Sequence, residues 1–354
     1  MAESYVIGVD FGSDSVRVLI VNTETGENVG QGVACYPRWK AGLYQHPEYS
    51  IFRQHPLDYL ESLEKCITTA LAELTEEQKD HVIGIGVDTT GSTPVPVDKN
   101  GTPLALLDEF AENENAMFFL WKDHAAAAEA DEINKLFRNN SENDYTKYQG
   151  DYSAEWYWAK ILYAVRHDEA IRQAAYTWEE HCDWMTGILC GETRPEKIYH
   201  SACAAGHKAL WHSEWNGLPA ASVLEQLDPY LVQVRERYGN APQPSTVKVG
   251  TLCPEWAKKL GLKESTVISG SSFDAHAGAV GAGIQKKTFV CTMGTSCVDM
   301  FVEKPENLKG KDIQAYCGQA ENSILPGYVG VETGQAAFGD IFAWFGVAAG
   351  RTCS

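Results

Sequence analysis

Two distant segments constrain this chain more than anything else in it. The first is Ile7-Gly8-Val9-Asp10-Phe11-Gly12-Ser13-Asp14-Ser15-Val16-Arg17; the second is Val290-Cys291-Thr292-Met293-Gly294-Thr295-Ser296. Each is a short apolar run that ends in glycine followed by serine or threonine. Tyr5, Ile7 and Val9 alternate along the first, and Val16, Val18 and Ile20 resume the alternation, which predicts a β-hairpin with a polar tip. Gly12 has no Cβ, so a phosphate can approach the backbone there. Ser13 and Ser15 bring hydroxyls and amides to its oxygens. Asp10, at the strand end, suits Mg²⁺, chiefly through water, because Mg²⁺ takes few protein carboxylates. A plain hairpin with glycine at its turn explains one such segment; the matching hairpin over Val290–Val298 argues for a shared purpose.

Neither segment is a Walker A loop. No GxxxxGK[ST] occurs, and the first turn leads into a strand rather than a helix. A GxGxxG after a strand is also missing, which excludes a dinucleotide fingerprint. Between the hairpins lies Gly270-Ser271-Ser272-Phe273-Asp274-Ala275-His276-Ala277-Gly278, a carboxylate in a small-residue turn with a helix expected behind it from Ala275 to Ala282. Asp274 is placed to accept the proton of an attacking hydroxyl; a helix N-cap is the plainer reading of such an acid, and the two are compatible. Two phosphate hairpins and one acid are what phosphoryl transfer from ATP to a hydroxyl requires.

The chain has 354 residues, enough for two domains with sizeable cores. Its formal net charge is −19 and it has no basic stripe, which argues against nucleic acid or an anionic membrane as partner. Anionic ATP must then be held by local devices: backbone amides, a few lysines and metal. Ten cysteines form no CxxC and no zinc spacing with histidine; they read as buried thiols of a reducing compartment. The fold starts within a few residues of Met1 and no run of about 18 apolar residues exists. A cytoplasmic enzyme is the expectation, and a homodimer is compatible with it.

Residues 4–36 predict three strands, 56–74 a helix with proline at its start, and Val82–Asp88 a fourth strand that ends in Asp88-Thr89-Thr90-Gly91-Ser92-Thr93. This succession indicates a mixed α/β sheet. Residues 104–240 read as mostly helical, with Trp121, Trp156, Trp158, Trp178, Trp184, Trp211 and Trp215 as core more than site. From Val267 the strand pattern returns: Val267–Ser269, Phe289–Met293 and Val298–Phe301 look like a second copy of the opening module. Gly334–Phe345 predicts an amphipathic helix with Ala337, Phe338, Ile341, Phe342 and Phe345 on its apolar side.

These hairpins, with Gly270–Gly283 between them, resemble the FGGY carbohydrate kinases. Longer stretches are similar to the branch of that family that acts on L-ribulose: Val87–Pro94, Phe110–His124, Ala205–His212, Gly250–Ala257 and Glu332–Asp340. The resemblance covers nearly all of residues 4–346 and implies the actin-like ATPase (ribonuclease H-like) fold, with two domains and a cleft between them. Residues 1–265 would carry the sugar site and the first phosphate hairpin. Residues 266–354 would begin the second domain, with the catalytic acid and the second hairpin. The implied reaction is ATP-dependent phosphorylation of L-ribulose at its 5-hydroxyl, in L-arabinose catabolism. D-Ribulose and D-xylulose are the alternative substrates, since hydroxyl stereochemistry is not readable from these motifs. By matching motif, Asp274 is the implied general base; Lys208 and Glu332 contact the sugar, with Ser92 and Thr93 in the turn beside it; Asp10, Gly12 and Ser13, with Gly294, Thr295 and Ser296, face the ATP phosphates and Mg²⁺. Without the resemblance, Lys208 reads as a solvated surface lysine and Glu332 as a first-turn acid of the following helix. His207 and His276 are read as structural. Family members continue beyond the point where this sequence stops, and Val347–Ser354 does not match their continuation. A second domain without its adenosine pocket is therefore expected, with an inert sugar-binding fragment as the alternative to an active kinase.

Overall fold

The computed structural model describes residues 3–294, 297–308, 311, 313, 316–335 and 338–348. Its opening follows the alternation of the sequence. Strand β1 (Tyr5–Phe11) puts Tyr5, Ile7, Val9 and Phe11 on one buried face, none more than 2% exposed. It turns through Gly12–Asp14 into antiparallel β2 (Ser15–Asn22), which pairs in turn with β3 (Asn28–Cys35). Helix α1 (Pro56–Leu71) starts at a proline, and the His55 ring accepts from the Leu57 amide at its N-terminus. It lies directly on β3: a Cβ at Gly32 would come within 2.3 Å of the Cys66 carbonyl oxygen, so only glycine admits the helix there.

The crossover returns the chain as β4 (Val82–Thr89), parallel to β1 and in register with it, Asp10 facing Asp88. Strands β5 (Lys248–Thr251), β6 (Val267–Ser269) and β7 (Ser272–Phe273) complete a seven-stranded sheet in the order β5-β6-β4-β1-β2-β3, with β7 also alongside β4. Val267–Ser269 therefore belongs to the first sheet, not to a repeat of the opening module. Its short apolar run carries no mark of its partner, and pairing with β4 decides the matter. The middle of the chain packs helices around an aromatic core that includes Trp156, Trp158 and Trp178, while Trp184 joins the core beneath the first sheet.

The second sheet orders as β8-β9-β11-β10, from β8 (Val290–Met293), β9 (Cys297–Glu303), β10 (Gly318–Glu321) and β11 (Val329–Gln335). Strands β8 and β9 form the expected antiparallel hairpin, and β11 lies against β9 as β3 lies against β2, with β10 inserted in sequence. The closing helix runs over Gly339–Ala348, not from Gly334; Gly334 and Gln335 finish β11, where ladder bonds to β9 win over the helical pattern. Ile341, Phe342 and Phe345 on its apolar side are 53%, 65% and 63% exposed. Ala337 lies outside the described residues. All nine described cysteines are free, but Cys35 and Cys291 are exposed rather than buried, each facing outward from a strand. Among the described residues no helix is long and apolar enough to cross a membrane.

Candidate active site

Three carboxylates meet where β1, β4 and β7 end. Asp10 and Asp88 sit side by side through the parallel register, and Asp274 follows β7 as the first residue of helix α2 (Asp274–Gly281). Burial pushes the Asp274 carboxyl up to about 6, the Ala275 amide works against this, and Asp10 adds repulsion. The Ala275 N–H donates to Asp274 Oδ1 at 2.6 Å. Asp88 is raised well above the usual carboxylate range by burial and by the neighbouring carboxylates of Asp10 and Asp274. Arg17 Nη1 reaches Asp10 Oδ2 at 3.0 Å across the hairpin. Like charges this close cannot all ionise, so the cluster calls for a cation. Its all-oxygen donor set fits Mg²⁺, a hard ion.

The first hairpin tip is braced from behind. Trp121 Nε1 donates to Ser13 Oγ at 2.8 Å, and Gln54 Nε2 donates to the Ser13 carbonyl at 2.7 Å. Gly12 is buried at the tip, where an added Cβ would come into contact with the Ser15 carbonyl oxygen at 3.4 Å and the Arg17 guanidinium at 3.6 Å. Gly294 closes the second hairpin strand, exposed, its carbonyl accepting from the Gly339 amide at 3.1 Å. Thr295 and Ser296 lie outside the described residues.

Lys208 and Glu332 come together. Lys208 Nζ donates to Glu332 Oε1 at 2.8 Å, although 124 residues separate them. Lys208 is no solvated surface lysine, since it is 8% exposed, and Glu332 is no first-turn acid, since it sits 4% exposed in the middle of β11. Burial works against the charge on both. Each nevertheless holds the other's charged form in place: Lys208 is raised, and Glu332 is held well below the usual carboxylate range by Lys208 and by His207 and His276. The approach that makes this possible is close. A Cβ at Gly318 in β10 would lie 2.4 Å from His207 Nδ1 and 2.7 Å from Glu332 Cγ.

Ser92 and Thr93 are fully buried, and their polar atoms are already engaged. Glu180 accepts a very short hydrogen bond from Ser92 Oγ and one of 2.9 Å from the Thr93 amide. Lys160 Nζ donates to the Ser92 carbonyl at 2.7 Å and to those of Leu120 at 2.8 Å and Phe119 at 3.3 Å. An ammonium and a carboxylate thus grip one residue from opposite sides. The turn presses on the acid as well, because a Cβ at Gly91 would lie 1.9 Å from the Phe273 ring, next to Asp274. The structure brings together Asp10, Gly12, Ser13 and Asp274, and separately Lys208 and Glu332. His276, two residues after Asp274, joins the groups through a 3.1 Å contact between its Nε2 and Glu332 Oε2. Asp88, Arg17, Lys160 and Glu180 were not singled out from sequence. Asp88 had one visible signal: Val87-Asp88-Thr89-Thr90-Gly91 follows the same strand–acid–glycine pattern as Val9-Asp10-Phe11-Gly12.

The model of the N-terminal domain of the FGGY family of carbohydrate kinases matches residues 5–281, and that of the C-terminal domain matches residues 289–352. The chain is 47% identical over 344 residues to a ribulokinase of Vibrio parahaemolyticus, covering 97% of this chain and 61% of that protein. It is 35% identical over 350 residues to a ribulokinase of Shouchella clausii, covering 96% and 60%. The chain thus spans about three fifths of the length of the curated relatives it matches. Among solved structures, a xylulose kinase from Rhodospirillum rubrum superposes with a TM-score of 0.74 at 17% identity, over 96% of this chain and 62% of that one. A Plasmodium falciparum glycerol kinase with ADP does so with a TM-score of 0.75 at 14% identity, over 98% and 64%. Both share the fold seen here, and with family models matched across both hairpins this chain belongs to the FGGY family of carbohydrate kinases.

Proposed function

We propose that this chain carries the sugar site and phosphate hairpins of a pentulose kinase, transferring the γ-phosphoryl group of ATP to the 5-hydroxyl of L-ribulose. The observation that carries the reading is the buried Lys208–Glu332 pair, tied through His276 to an acid whose carboxyl is raised to about 6. A ketose offers only hydroxyls and a carbonyl, and a lysine donor beside a glutamate acceptor fixes its register. Asp274 then takes the proton of the attacking hydroxyl as the phosphorus–oxygen bond forms. The Gly91–Thr93 turn sets the position of Phe273 and so of Asp274. Gly12, Ser13, Gly294, Thr295 and Ser296 receive the phosphates. Asp10, with Asp88 beside it, would hold Mg²⁺, which neutralises charge on the phosphate oxygens when bound. The relatives named ribulokinase support ribulose over xylulose, and the L form rests on the resemblance of the longer sequence stretches.

The test is ADP release by the purified chain with Mg-ATP and L-ribulose, D-ribulose or D-xylulose, ranked by kcat/KM. L-Ribulose is expected to lead by at least about tenfold, roughly the net worth of one hydrogen bond. A lead by D-xylulose or D-ribulose refutes the assignment of substrate, and turnover of none of the three refutes the activity.

A further inference from the structure

Cys203 and His207 lie one turn apart on the helix Ala202–His207, so their side chains share a face. His276 enters the same space from α2. One ligand atom from each of the three lies within 4.8 Å of the others, and all three residues are buried. Glu332 closes the fourth side, with Oε2 at 3.1 Å from His276 Nε2 and Oε1 at 3.6 Å from His207 Nδ1. None of the four imidazole nitrogens of His207 and His276 has a partner in hydrogen-bonding geometry, and the 3.1 Å contact is an ion-pair distance without alignment. Buried polar atoms left this way are rare, and a bound ion is among the physical explanations for them.

The donor set tells which ligand fits. One thiol, two imidazoles and a carboxylate are the donors of tetrahedral zinc, while Mg²⁺ takes oxygen. Ligand atoms around tetrahedral zinc stand about 3.3–3.8 Å apart, so the three need close in by only about 1 Å. Lys208 keeps its own contact with Glu332 Oε1.

We propose that Cys203, His207, His276 and Glu332 form a binding site for a zinc-class divalent ion, and that an ion held there competes with the ketose for Glu332. The competition rests on the sugar-site reading above; the metal binding does not. The experiment titrates ZnCl₂ calorimetrically, and CoCl₂ by absorbance, into the full chain carrying Cys35→Ser and Cys291→Ser, which removes the two exposed thiols among the described residues. One equivalent of zinc is expected to bind, and cobalt to give a thiolate charge-transfer band. Cys203→Ser should abolish that band and weaken zinc by about 100-fold, leaving ketose turnover without zinc unchanged. No binding, or binding that Cys203→Ser does not alter, overturns the site. Zinc that binds as expected but inhibits without raising the KM for ketose overturns the competition alone. A chain that turns over no ketose removes the sugar-site reading and the competition with it, while the titration still decides the metal site.

Discussion

Asp274→Asn should stabilise the protein while removing its activity. The folded state raises this carboxyl from 3.8 to about 6, with burial first and Asp10 repulsion after it. The protonated form is thus favoured by folding, so the native contribution is fully present below 3.8 and is lost as pH rises through 6. Ionised Asp274 accordingly costs the native state about 3 kcal/mol above pH 7 and about half that near pH 5. Asparagine carries no charge and keeps an oxygen for the Ala275 amide, 2.6 Å away in the native protein. Allowing for the lost attraction to His276 and Arg17, the gain expected at pH 8 is about 2 kcal/mol, or about 3 °C in Tm for a chain of this length. Calorimetric melting of both proteins from pH 5 to pH 8 is the assay, with the gain shrinking toward the acid end. A variant that melts lower than wild type at pH 8, or a gain that ignores pH, refutes the burial and charge argument.

Three further outcomes are expected. Lys160→Met removes the ammonium that donates to the Ser92, Phe119 and Leu120 carbonyls and strands Glu180; burial pushes Lys160 down to about 7 and Glu180 up to about 7, so the pair is already finely balanced. Urea unfolding should show a loss of about 3–5 kcal/mol, partly recovered by adding Glu180→Gln; additive losses would contradict the shared grip on Ser92. Gly91→Ala drives a methyl into the Phe273 ring and should cost about 1–3 kcal/mol, with kcat falling further than stability accounts for; a wild-type kcat would separate Phe273 from the placement of the acid. The profile of kcat/KM against pH should have an acid limb near pH 6, since the base must be ionised; a limb below pH 4.5 would place the essential group elsewhere.

What the sequence shows and hides here follows from range. The hairpins, α1 and the aromatic core are written in local alternation and helical spacing, and they form where expected. Asp274 and the glycine tips stand out because small residues surround a polar one. Asp88 becomes a site residue only through parallel register with β1, and parallel pairing leaves no local trace. Lys160 and Glu180 reach Ser92 across 68 and 88 residues, and as single charges among apolar neighbours they carry no pattern. Lys208 and Glu332 were named through the family resemblance; local chemistry favoured a surface lysine and a helix-start acid, and burial at the junction of two sheets overrides both. The start of the final helix was misplaced because Val331, Thr333 and Gln335 alternate as a strand until the ladder to β9 ends.

The most direct test of the account is the single-turnover rate of phosphoryl transfer from Mg-ATP to L-ribulose by Asp274→Asn, measured with sugar bound at saturation. The account predicts that this variant binds the ketose and transfers about 10²–10⁴-fold more slowly than wild type. Transfer at the wild-type rate would contradict it, because the acid between the two hairpins would then have no part in the chemistry.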